Sequence, residues 1–189
     1  TLVLLHGTGG DETDLMPLAH NAAPNATLLG LRGRSTEDGT RRWFRALGPA
    51  IFDQKDVRFE AGALEAFFEE ARGSYQLDPE QVVALGHSNG ANLLGAAMLL
   101  HPGMVQRAIL VRPVMVLDVV PDTDLSGTKI LILLGEKDAF RPAGERLAEA
   151  LAKSGALVTT RILSGGHELG PHDPPAIAEW LDHAAFGPT

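Results

Sequence analysis

Short, nearly unbroken apolar runs recur along the chain, and between them lie longer stretches in which apolar residues return every third or fourth position. The first pattern marks strands buried on both faces of a sheet; the second marks helices that turn one stripe inward. The runs Thr1–Leu5, Ala26–Leu31, Gln81–Leu85, Arg107–Val111, Lys129–Leu134 and Ala156–Leu163 predict strands. Thr13–Ala22, Asp56–Tyr75, Asn89–Leu100, Ala143–Ser154 and Pro174–Ala185 predict helices, the last with Pro174 and Pro175 at its mouth, where a helix start tolerates them. Such alternation predicts an α/β fold, a mostly parallel sheet with helices on both faces. Two stretches fit neither period. Arg32–Gln54, with five arginines beside Trp43 and Phe44, is expected to run as a long irregular excursion over the sheet edge, and Pro113–Gly127 follows the fourth predicted strand. Both are placed to wall a pocket. There is no internal repeat or low-complexity segment.

Composition narrows the class. A chain of 189 residues with 44% hydrophobic content suits one domain, residues 1–189, with a sizeable core. Sixteen Lys and Arg against 24 Asp and Glu leave a net charge of -8, which argues against a nucleic-acid partner. The chain has no cysteine, so disulfides and a thiolate nucleophile are both excluded, and the cytoplasm is the expected compartment. The most apolar stretches, Leu93–Leu100 and Ile109–Val120, are short or broken by Arg112, Pro113 and Asp118, so no membrane helix is expected. There is no secretory signal pattern, and the sequence opens directly on a strand, which leaves a trimmed leader open.

The chemistry concentrates at Gly86-His87-Ser88-Asn89-Gly90, a G-x-S-x-G between a predicted strand and an apolar helix. In that context the turn is tight and strained, and it lifts the serine hydroxyl clear of the C-terminal edge of the sheet. A nucleophilic Ser88 needs a base, an acid to orient that base and donors for the oxyanion, all at the same edge. That edge follows the C-terminal ends of the strands. For the acid, Asp138 in the turn after Lys129–Leu134 is preferred to Glu136, because residues directly after a strand point along it; a helix-capping role is the plain alternative. For the base, His167 after Gly165-Gly166 is preferred to His172, which Pro171 and Pro174 fence in, while His6, His20, His101 and His183 are expected to be structural or on the surface. The group His167, Glu168, His172 and Asp173 has the wrong spacing for ligands on one helical face, so no metal is expected. The amide of Asn89, next after the nucleophile, and that of Thr8 in the turn His6-Gly7-Thr8-Gly9-Gly10 are the candidate oxyanion donors. A phosphate cradle there would lack the Lys-Ser or Lys-Thr pair of a P-loop and would face Asp11 and Glu12.

In chain order the set reads oxyanion loop, Ser88, Asp138, His167. Together these motifs resemble the alpha/beta-hydrolase superfamily, and within it the phospholipase/carboxylesterase family, with acyl-protein-thioesterase-like and dienelactone-hydrolase-like relatives. Leu5–Glu12 looks like the oxyanion loop of its small bacterial esterases, Gly86–Gly90 like their nucleophile elbow, and Gly165–Glu168 like their histidine loop. The resemblance spans nearly the whole chain. It implies a serine carboxylesterase with minimal or no lid, acting on small carboxylic esters through an acyl-enzyme, without a cofactor, with a small-molecule ester as partner and a homodimer left open. Dienelactone hydrolases carry a cysteine nucleophile, so Ser88 argues against that activity. The family ordinarily has one or two strands before the oxyanion-loop strand; their lack here marks a trimmed or shortened sequence. A thioesterase or lysophospholipase of the same fold is the runner-up, and a non-catalytic binding protein is the rival from another class. Trp43, Phe44 and Arg41 are candidate pocket residues, with loop anchoring as the equal alternative for the aromatics and a solvated basic face for the arginine.

Overall fold

The computed structural model describes residues 1–48 and 50–186, so Pro49, inside the Arg32–Gln54 stretch, and the last three positions lie outside the described residues. The elements run β1 (Leu2–Leu5), α1 (Met16–Ala22), β2 (Leu28–Leu31), β3 (Ser35–Glu37), β4 (Thr40–Arg42), β5 (Ala46–Gly48), β6 (Ile51–Phe52), α2 (Gln54–Ser74), β7 (Val83–His87), α3 (Asn89–Leu100), β8 (Arg107–Val111), β9 (Lys129–Gly135), α4 (Arg141–Lys153), β10 (Leu157–Leu163) and α5 (Asp173–Phe186). One six-stranded sheet has the order β10-β9-β8-β7-β1-β2, with every neighbouring pair parallel.

The central strands are apolar along their interiors, with Arg107, Lys129 and His87 only at strand ends, because both sheet faces are covered. In β9, Ile130, Ile132 and Leu134 point into one core with α2, α3 and α4, while Leu131 and Leu133 point into the other with α1 and α5. The same alternation splits Ala84 from Val83 and Leu85 in β7, and Ala108 and Leu110 from Ile109 and Val111 in β8. Each large apolar side chain so buried contributes about 1.5–3 kcal/mol. The helix α3, which carries the residues after Ser88, is buried from Asn89 to Leu99, hence its lack of charged residues and its richness in Ala and Leu. In α2, Val57, Ala61, Leu64, Phe68 and Ala71 recur at helical spacing and face the core, and Asp53 caps its start by accepting the Lys55 and Asp56 amides.

The structure departs from expectation over Arg32–Gln54, which forms two small antiparallel hairpins, β3–β4 and β5–β6, instead of an irregular excursion. The Asp38-Gly39 turn sets the first: both residues have positive φ, 48° and 77°, as a two-residue hairpin turn of the primed type demands. Pro113–Gly127 contains no helix or strand, but Val114, Val116, Leu117 and Leu125 are buried in the core. Among the described residues, no helix is long and apolar enough to cross a membrane.

Candidate active site

Because the sheet is parallel, five of its strands deliver their following loops to one edge. The loop after β1 brings Thr8, the turn after β7 brings Ser88, and the loops after β8, β9 and β10 bring Arg112, Asp138 and His167. Ser88 itself takes the strain of its turn, with φ 49° and ψ -116°. Its flanking glycines are required by close approach: a Cβ on Gly90 would lie 2.2 Å from the Leu5 carbonyl oxygen, and one on Gly86 would lie 2.6 Å from the Ala91 nitrogen.

Three of the sequence candidates form a chain of hydrogen bonds. Ser88 Oγ lies 2.7 Å from His167 Nε2, and His167 Nδ1 lies 2.8 Å from Asp138 Oδ2. A carboxylate can only accept, so Nδ1 carries the proton, and Nε2 is left to accept from the serine hydroxyl. Asp138 is 8% exposed, and its Oδ1 accepts the Phe140 amide at 2.8 Å, which fixes the carboxylate beneath the imidazole. The Phe140 ring meets the imidazole edge-on, with centroids 5.3 Å apart. The loops of Asp138 and His167 are pressed together, so that a Cβ on Gly135 would lie 2.2 Å from the Gly166 carbonyl oxygen. Glu136 and His172, the competing candidates, are both exposed, and neither lines the cleft.

The two candidate oxyanion donors line the same cleft as Ser88. Asn89 is the first residue of α3, so its amide has no intrahelical acceptor, and among the described residues nothing accepts the Thr8 amide. The Asn89 side chain is spent elsewhere: its Oδ1 accepts the Trp43 amide at 2.8 Å. His6, at the head of the Thr8 loop, is 1% exposed; its Nδ1–H donates to the Gly7 carbonyl at 2.7 Å and its Nε2 accepts the Gly33 amide at 2.9 Å. It is a structural histidine that ties this loop to the chain beyond β2. Glu12 pairs with Arg32 and makes a second tie.

The candidate pocket residues need correction. Trp43 and Phe44 are 5% and 1% exposed and belong to the core, so they anchor the hairpins and do not line the cleft. The indole nitrogen of Trp43 donates to the His6 carbonyl at 2.8 Å, a partner it reaches only by lying inward. Arg41 touches the site through its backbone, its carbonyl accepting the Gly9 amide at 2.8 Å; successive residues of β4 point to opposite sides, so Arg42 lines the cleft in its place. The cleft measures about 1190 Å³ and is walled by Thr36, Glu37, Asp38 and Thr40 of the first hairpin, by Asn92, Val114 and Met115, and by Phe140, Arg146 and Glu168.

Sequence reasoning missed His87, the middle of the elbow motif, which lines the cleft and whose Nε2–H donates to the His167 carbonyl at 3.3 Å. Burial holds its imidazole below the ordinary value of 6.5, which favours the neutral form beside His167. Asn92 was also missed; its Oδ1 accepts the Val114 amide at 2.7 Å and secures that wall of the cleft. The signal for it was a polar residue inside an otherwise apolar helix, which does not say which partner it will take. Among the described residues, no group of His, Cys, Asp and Glu is arranged to hold a metal ion; Asp173, once a ligand candidate, is taken up by Arg112 and the Gly170 amide.

No protein-family model matches the sequence. The chain is 35% identical over 185 residues to the "Putative hydrolase MhqD" of Bacillus subtilis (strain 168), covering 97% of this chain and 92% of that protein. Among solved structures, it is similar to a carboxylesterase from Mesorhizobium loti, with 44% identity and a TM-score of 0.93 over 99% of this chain and 88% of the other. The Bacillus cereus carboxylesterase gives 34% identity and a TM-score of 0.92 over 97% and 88%. SOBER1 of Arabidopsis thaliana, at 19% identity with a TM-score of 0.83 over 98% of each chain, shares the fold.

Proposed function

Since the chain belongs to the phospholipase/carboxylesterase family of alpha/beta-hydrolases, we propose that it is a serine carboxylesterase that hydrolyses small carboxylic esters. The observation that carries this reading is the continuous contact from Ser88 Oγ through His167 to Asp138, at 2.7 and 2.8 Å, on a strained elbow opening into a cleft.

In this reading, His167 Nε2 takes the hydroxyl proton as Ser88 Oγ attacks the ester carbonyl carbon. The carbonyl oxygen becomes an oxyanion held by the Thr8 and Asn89 amides, and Asp138 steadies the imidazolium. The intermediate collapses with cleavage of the bond to the alcohol oxygen, which leaves with the proton from Nε2. A water then gives its proton to Nε2 and attacks the acyl carbon, and the second collapse returns that proton to Ser88 Oγ and frees the carboxylic acid. Each oxyanion donor in such sites lowers the barrier by about 3–4 kcal/mol.

The cleft wall supports a small, polar ester over the long acyl chain of a thioesterase or lysophospholipase substrate. Glu37, Asp38, Arg42, Arg146 and Glu168 would each lie against such a chain, and desolvating charge against a hydrocarbon is unfavourable. The test is hydrolysis of p-nitrophenyl esters of increasing acyl length by wild type and by Ser88→Ala. The expected result is a rate that falls beyond short acyl groups and a loss of about 10⁴-fold or more in kcat for Ser88→Ala. Equal rates for the two proteins overturn the esterase reading, and a rate that climbs steadily with chain length overturns the small-ester one.

A further inference from the structure

Beneath the histidine loop lies a charge pair that the mechanism above does not use. Arg112, directly after β8, and Asp173, at the start of α5, are 2% and 0% exposed. Two nitrogens of the guanidinium fork, Nη1 and Nη2, donate to Asp173 Oδ1 and Oδ2 at 2.9 and 3.3 Å. The third, Nε, donates to the Gly166 carbonyl at 2.9 Å, the residue immediately before His167. From the other side, Asp173 Oδ2 accepts the Gly170 amide at 2.7 Å. The pair therefore grips the loop on both flanks of His167. Arg112 adopts a left-handed backbone, φ 53°, and this residue type is strained there.

Stability alone does not account for the pair, since well-packed apolar residues commonly replace a buried ion pair at no loss. What apolar residues do not supply is a set of directed hydrogen bonds to the loop backbone. A lysine does not supply them either: its ammonium is a point charge, without the planar fork that reaches a carboxylate and a carbonyl together. We propose that Arg112 and Asp173 are positioning residues that hold the histidine loop so that His167 Nε2 reaches Ser88 Oγ while Nδ1 stays on Asp138. The inference rests on the esterase reading, and its consequence is for turnover and not for substrate binding, because neither residue lines the cleft.

The experiment compares wild type, Arg112→Lys and the double variant Arg112→Met with Asp173→Leu, which removes both charges at once and leaves no buried ion unpaired. The readouts are thermal unfolding, kcat and KM on a short p-nitrophenyl ester, and the downfield proton NMR signal of the His167 Nδ1–H, assigned by its loss in His167→Gln. The double variant is expected to fold, to keep KM within about threefold and to lose about 100-fold in kcat, the scale of a misplacement of about 1 Å. Its Nδ1–H signal should broaden or vanish, and Arg112→Lys should fall between it and wild type. Native unfolding with unchanged kcat and an unchanged signal in the double variant overturns the proposal. A kcat loss no larger than the loss of folded protein does the same. If the double variant does not fold, unchanged kcat and signal in a stable Arg112→Lys are decisive against it. If wild type hydrolyses no ester, the esterase reading fails, and the Nδ1–H signal still reports whether the pair positions His167.

Discussion

The ridge that carries Ser88, Asp138 and His167 and the two hairpins of residues 35–52 line the same cleft but are built in opposite ways. On the ridge, loops interlock through buried backbone: the Ser88 amide donates to the Val111 carbonyl and the Lys137 amide to the Gly165 carbonyl, each at 2.8 Å. The side chains that matter there have their lone pairs and protons assigned by neighbours. The hairpins consist of strands two or three residues long, largely half-exposed, with Leu47 and Ile51 63% and 58% exposed. Ion pairs between partly exposed side chains, Arg42 with Glu37 within the first hairpin and Arg45 with Asp53 at the base of the second, support them, and such pairs are worth about 0–1 kcal/mol. Isolated two-stranded hairpins are marginally stable in water. On the esterase proposal, the difference predicts chemistry on the interlocked side and substrate choice on the half-exposed one: a change on the ridge should appear in kcat, and a change in the hairpins in KM.

The sharpest way to break that division is at the base. His167→Ala should lower kcat by about 10⁴-fold or more, while His172→Ala, five positions along the same loop, should stay within about twofold of wild type. Steady-state kinetics on one short ester decides it, and a larger loss at His172 would reverse the assignment of the base. At the seam between the two regions, Asn89→Ala keeps the oxyanion amide but leaves the buried Trp43 amide without its acceptor. An unsatisfied buried donor costs about 1–3 kcal/mol, so denaturant unfolding should show that loss together with a raised KM. A fall in kcat with native stability and KM would mean that the seam belongs to the chemistry.

Within the hairpins, Glu37 both pairs with Arg42 and accepts the Ala46 amide at 3.2 Å, tying one hairpin to the other. Glu37→Gln should move KM by about fivefold or less and leave kcat unchanged, since each such pair contributes about 1 kcal/mol or less. Equal changes in both constants would erase the contrast. The smallest effect is one of pH and belongs to the ridge. Buried His87 resists protonation when folded but binds a proton near pH 6.5 when unfolded, so its contribution to stability is complete above that value. It is lost as the pH falls from there toward the lower folded value, because in that window the unfolded chain binds more protons. His87→Gln should flatten this part of a plot of unfolding free energy against pH, and a slope identical to wild type would remove His87 as its source.

The strands of the sheet were legible because burial on both faces leaves runs such as Ile130–Leu134 that no helix or loop needs. Ser88, Asp138 and His167 were legible for a related reason: each follows a readable strand, in a turn whose glycines or acid announce it. The hairpins were not, since Ser35–Glu37 and Thr40–Arg42 are polar and too short for a period; only Asp38-Gly39 signalled them. Trp43 and Phe44 stayed ambiguous because an aromatic residue in a long loop reads the same whether it lines a cavity or plugs the core. The pairing of Arg112 with Asp173 joins positions 61 residues apart, and its only trace was a charge where an apolar run should have continued.

Trp43 lends itself to one more use. Its indole lies 5.0 Å from the His6 ring, with its N–H locked to the carbonyl next to the oxyanion loop, while the chain's second tryptophan, Trp180, packs in the core on the opposite face of the sheet. A Trp180→Phe protein therefore keeps a single tryptophan, at the joint between hairpins and ridge. Its emission wavelength would record whether that joint opens as a substrate enters, without a label and on the timescale of a stopped-flow trace.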